Sequence, residues 1–168
     1  MIYRGRVLDT PEDPFQGAGL RVESDAGLYV TAGGQIADRG AYKDVRARHP
    51  TDPVRDLSDG LLLPGFIDTH VHFPQARIIG ALGMPLLEWL DRCALPEEAR
   101  LADVGYARDV AQEFVGALID AGTTTALVFG AHFAPAVEAL FEAASAFELR
   151  VTSGLVVSDR LVPSELCT

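Results

Sequence analysis

Residues 64–75 read PGFIDTHVHFPQ and set two histidines, His70 and His72, one residue apart at the end of an apolar run. In an extended strand alternate side chains share a face, so the two imidazoles project together while Val71 points the other way. They can therefore share one ion, and imidazole suits zinc or iron. A bare H-x-H pair also serves as two hydrogen-bonded histidines in a core or on a surface. The local grammar weighs toward ligation: Pro64 and Gly65 punctuate the entry, Phe66 and Ile67 begin an apolar strand, and Asp68 lies two residues before His70.

Upstream of this stretch, residues 1–60 carry short β-like runs between turn residues, such as IYRGRVL, GLYVTAGGQIADRG and VRDLSDG. They read as a small β-domain, with the glycines of AGG at 32–34 giving the positive φ that a tight hairpin needs. His49, before Pro50 in a charged stretch, reads as a surface residue. From residue 61 to 168 the grammar changes. LLLPGFIDTHVH is nearly unbroken apolar sequence, as expected of a strand covered on both faces in a parallel sheet. Val104, Ala107, Ala111, Phe114, Leu118 and Ala121 recur at helical spacing, and Gly122 follows where a helix stops. TTTALVFG is a second strand, APAVEALFEAASAFEL a second helix with Val137, Leu140, Phe141 and Ala144 on one face, and RVTSGLVV a third strand. Strand, helix, strand, helix, strand is the grammar of a parallel α/β fold, whose catalytic residues collect at the carboxyl ends of the strands.

Composition narrows the function. The 168 residues are 48% hydrophobic, enough for a core, and 14 Lys and Arg against 24 Asp and Glu give a net charge of −10. That charge repels a phosphate backbone, which argues against a nucleic-acid partner. Cys93 and Cys167 lie far apart and form no C-x-x-C, so neither a disulfide framework nor a cysteine zinc site is indicated, and a reducing cytoplasm fits. The start MIYRGRVLDT lacks the apolar stretch of a signal peptide, and no run approaches the roughly 20 residues of a membrane span, so no membrane association is expected.

PGFIDTHVH with a β-segment before it resembles the first metal-binding strand of the amidohydrolase superfamily. The resemblance covers essentially the whole chain and implies an α/β fold: a (β/α)8 TIM-like barrel with a small N-terminal β-domain, truncated here after about three βα units. HVHFPQ, PLLEWLDRCALPEEAR and GTTTALVFGAHF narrow it to the guanine deaminase family, which hydrolyses guanine to xanthine and ammonia in purine catabolism and salvage. What this resemblance implies is one zinc ion with His70 and His72 among its ligands, Gln75 as reader of the purine, and Leu87 with Trp89 as pocket walls. A homodimer of the full-length form is compatible with it.

The residue types suit those roles. A side-chain amide offers a donor and an acceptor to the amide-like edge of a neutral purine, although without the family resemblance a loop-capping or solvated glutamine is the favoured reading. An indole can stack on a purine, or simply join a core. Glu88 reads as structural or as an ion-pair partner rather than the general acid. His132 fits a surface or hydrogen-bonding role better than one at the pocket mouth, and Thr123–Thr125 mark a strand start. A catalytic zinc takes three or more protein ligands, and only two stand here. The family's further histidines, its aspartate and its catalytic glutamate are expected beyond Thr168, on barrel strands five, six and eight. The chain alone is therefore expected to be an inactive N-terminal portion. Two other readings stay open: another amidohydrolase (a different deaminase, a chlorohydrolase or a hydantoinase), and a non-catalytic fragment.

Overall fold

The computed structural model describes residues 1–17 and 19–167; Thr168, where the expected second segment ends, lies outside the described residues. The chain divides into two units at Pro64 and Gly65. In the first, β1 (Ile2–Asp9), β2 (Arg21–Val30), β3 (Ile36–Ala41) and β4 (Val54–Leu62) form one sheet in the order β3-β2-β1-β4. The two hairpin pairs are antiparallel, whereas β4 runs parallel to β1. A parallel neighbour needs a crossover rather than a tight turn. The segment that carries it includes a helix the β-rich pattern did not announce, α1 (Tyr42–Arg48), whose buried Val45 packs on the sheet.

His49 ends that helix and is no mere surface residue. Its ring stacks on Tyr29 at 3.8 Å and its Nε2 lies 3.0 Å from Asp38 Oδ2, because the helix C-terminus returns the chain over β2 and β3.

The second unit holds the sequence's strand and helix alternation. β5 (Phe66–His72), β6 (Thr123–Phe129) and β7 (Arg150–Thr152) are all parallel and neighbour one another in that order. Between β5 and β6 run a 3₁₀ turn (Phe73–Ile78), α2 (Leu86–Trp89), a π-helical turn (Leu90–Ala94), α3 (Leu95–Arg100) and the long α4 (Val104–Asp120). Asp103 caps α4 by accepting from the backbone N–H groups of Gly105 and Tyr106, and Gly122, at φ +82°, ends the turn that leads into β6. α5 (Ala134–Ala146) then returns to β7. One apolar core joins the buried faces of α4 and α5 to Ala126 and Val128 of β6.

Four local expectations change. LLLPGFIDTHVH is not one strand: Pro64 and Gly65 break it, leaving Leu61 and Leu62 to β4 and starting β5 at Phe66. Nor is β5 covered on both faces, since Phe66 and Ile67 are 56% and 68% exposed at the edge of a three-stranded sheet. Phe141 points outward, because the buried stripe of α5 runs through Ala136, Val137, Leu140, Ala143 and Ala144. RVTSGLVV contributes only Arg150–Thr152 as strand, and Val156 then bonds back to Ala131. The sheet is not closed into a barrel, as three strands are too few to close one.

Candidate active site

β5 delivers both histidines where the sequence places them. In parallel pairing His72 stands beside Phe129 at the end of β6, and the two rings stack at 4.5 Å with only 3° between their planes. The Nε2 atoms of His70 and His72 converge to 3.1 Å. Two nitrogens on one tetrahedral zinc, each at about 2.0–2.1 Å, stand roughly 3.3 Å apart, so the pair has the spacing of two ligands to a single ion. Asp68 Oδ1 accepts the backbone N–H of His70 at 3.0 Å, which fixes the strand end that carries them. Burial, reinforced by His70, pushes the His72 pKa below its ordinary value despite an opposing pull from Glu98. The neutral imidazole thus favoured is the form that ligates metal. Among the described residues no group of three or more His, Cys, Asp or Glu side chains gathers around the pair.

Phe73 explains how the next residues are placed. It is fully buried and meets Phe114 of α4 at 5.9 Å, so the turn after His72 is pinned to the core. Pro74 opens that turn, where its missing N–H costs nothing, and Gln75 follows. His70, His72, Gln75 and Trp89 line one cleft of about 310 Å³, with Ala76 and Ile79 among its apolar walls. Leu87 does not line it and is 79% exposed. The reason is geometric: residues i and i+2 of a helix do not face the same way, so α2 can turn Trp89 or Leu87 to the cleft but not both. A second cleft of about 300 Å³ opens on the other side of His70, between Phe129, Leu127 and Leu155.

Gln75 does not stand alone. Its Nε2 donates to Glu98 Oε1 at 3.0 Å, and Glu98 Oε2 lies 3.5 Å from Nδ1 of His132. His132 is buried, with Nε2 3.1 Å from Ser158 Oγ, which bears out a hydrogen-bonding role. Glu98 and Phe129 carry no signal at the level of single residues. Only the PEE segment's helix start and the end of an apolar strand mark where they fall. Glu97, next to Glu98, turns instead to Arg100 at 2.9 Å and to the hydroxyl of Tyr106, whose ring meets the guanidinium groups of Arg77 and Arg100 at 4.5 and 4.0 Å. Glu88 pairs with Arg92 at 2.6 Å one helical turn on, as an ion-pair partner rather than an acid of the site.

The chain is similar to known proteins along its whole length. The model of the amidohydrolase family matches residues 61–164. A curated relative from Deinococcus radiodurans, a probable guanine deaminase, is 55% identical over 172 residues, covering 99% of this chain and 39% of its own. A guanine deaminase crystal structure from Bradyrhizobium japonicum superimposes with a TM-score of 0.91 at 38% identity, covering 100% of this chain and 37% of that one. One from C. acetobutylicum, with guanine bound in the active site, does so with a TM-score of 0.86 at 25% identity, covering 99% and 38%. The chain thus spans about two fifths of the length of the proteins it resembles.

Proposed function

The chain belongs to the amidohydrolase family, and on that premise we propose that it is the N-terminal part of a zinc-dependent guanine deaminase acting in purine catabolism and salvage in the cytoplasm. The observation that carries the reading is the convergence of His70 and His72 Nε2 to 3.1 Å beside a cleft into which Gln75 and Trp89 also face. Bound zinc supplies the Lewis acidity that makes water nucleophilic at neutral pH. His70 and His72 hold two of its positions, and the low basicity of His72 keeps its nitrogen free of a competing proton. Gln75 meets the amide-like edge of the base through its carbonyl oxygen and remaining N–H, while Trp89 offers an aromatic wall. The remaining ligands and the group that carries the proton to the departing amine come from elsewhere in the full-length protein.

Guanine rather than another base or a triazine is the proposed substrate, because relatives that cover this chain at 55% and 41% identity carry that name and because a neutral amide reader suits a neutral lactam. Ammonia release by the full-length, zinc-loaded protein, measured with guanine, adenine, cytosine and a chlorotriazine in parallel, tests it. Guanine should be turned over far faster than the others; preference for any other member of the panel sends the chain to a different branch of the family.

A further inference from the structure

We infer that Glu98 is a positioning residue for Gln75, fixing which end of that side-chain amide is left for a ligand; the inference rests on the deaminase reading above. A primary amide has nearly the same shape when turned by 180° about its last bond, so its partners alone decide whether oxygen or nitrogen meets the substrate. A carboxylate accepts and does not donate. By taking one hydrogen of Gln75 Nε2 at 3.0 Å, Glu98 selects nitrogen for itself and leaves the carbonyl oxygen and second N–H to the cleft. That arrangement suits a ligand edge with an N–H beside an oxygen acceptor.

The surroundings of Glu98 argue against an incidental contact. Its side chain is only 13% exposed, and a carboxylate is withdrawn from water to that extent at a cost unless it is paired. Its second oxygen faces His132 Nδ1 at 3.5 Å, a buried nitrogen that makes no hydrogen bond among the described residues. A proton on Nδ1 leaves Nε2 to accept the hydroxyl of Ser158 at 3.1 Å. Gln75 follows β5, His132 follows β6 and Ser158 follows β7, so one carboxylate on α3 reaches the segments beyond β5 and β6, and His132 extends the chain of contacts to the segment beyond β7. Glu97 anchors the helix through Tyr106 and Arg100, which leaves Glu98 free to serve the cleft.

A double-mutant cycle on guanine deamination by the full-length, zinc-loaded protein tests the role, with zinc content and melting temperature recorded for each variant. Glu98→Ala should raise KM for guanine about tenfold with a smaller change in kcat, the signature of one misoriented hydrogen bond. Because it acts through Gln75, Glu98→Ala combined with Gln75→Ala should be within about twofold of Gln75→Ala alone. Glu98→Asp, one methylene shorter, runs through the same cycle should Glu98→Ala not fold. Losses that multiply in the double variant, or an unchanged KM in both Glu98 variants, overturn the role of Glu98. A wild-type enzyme that releases no ammonia from guanine sinks the deaminase reading itself, a result distinct from multiplying losses in an active enzyme.

Discussion

At the scale of single residues the proposed function rests on Gln75 and His72, and each makes a separable prediction. The side-chain amide of Gln75 donates to Glu98 rather than to either histidine of the H-x-H pair among the described residues. Gln75→Ala in the full-length protein should therefore leave zinc in place while costing about 1 to 3 kcal/mol in kcat/KM for guanine, the penalty of a polar ligand atom left unpaired. Elemental analysis beside steady-state kinetics checks both halves, and loss of the metal along with activity contradicts the separation. His72 has a pKa below its ordinary 6.5, chiefly through burial. In the window between that depressed value and 6.5 the unfolded chain binds more protons than the folded one, so stability falls as pH drops through it. From pH 7 to pH 5 in the absence of metal, the urea midpoint of wild type should fall relative to that of His72→Asn. Curves that stay parallel contradict it.

Among the elements, the turn after β5 decides whether the residues above reach one cleft. Phe73 is its anchor, fully buried against Phe114. Phe73→Ala should cost about 3–5 kcal/mol of stability, as for other large core truncations, read as a lower urea midpoint. A cost under about 1 kcal/mol, the scale of a tolerated swap, contradicts the anchoring role. Gly130 shows a different constraint, since a Cβ there would sit 1.9 Å from the backbone oxygen of Gly154, at the close approach of the segments leaving β6 and β7. Much of this was legible in the sequence. The parallel strands and long helices followed from periodicity, and the H-x-H face from the two-residue repeat of a strand. The break at Pro64 and Gly65 was a local signal outweighed by the apolar run around it, and the exposure of Leu87 follows from the local geometry of α2, whereas the packing of α1 depended on contacts distant in sequence. Glu98 escaped too, because its meaning comes from Gln75, 23 residues earlier, and His132, far later.

The molecule as a whole leaves an open sheet. β5 and β7 are both edges, and Leu127, Phe129 and Val157 are more than half exposed beside them. Unpaired parallel edges and apolar faces favour association. No helix among the described residues is long and apolar enough to cross a membrane. Residues 1–168 on their own should release no ammonia from guanine even with zinc added, since two histidines fall short of the three or more ligands a catalytic zinc uses. Robust turnover by a monodisperse monomer of these residues would remove the need for any later segment. The proposed function stands or falls on whether His70 and His72 hold the metal of a guanine-deaminating site. Zinc content and ammonia release from guanine, measured together on the full-length protein and on its His70→Ala and His72→Ala variants, test it most directly. Either substitution should abolish stoichiometric zinc and turnover together; variants that keep both would show that the pair does not hold the metal.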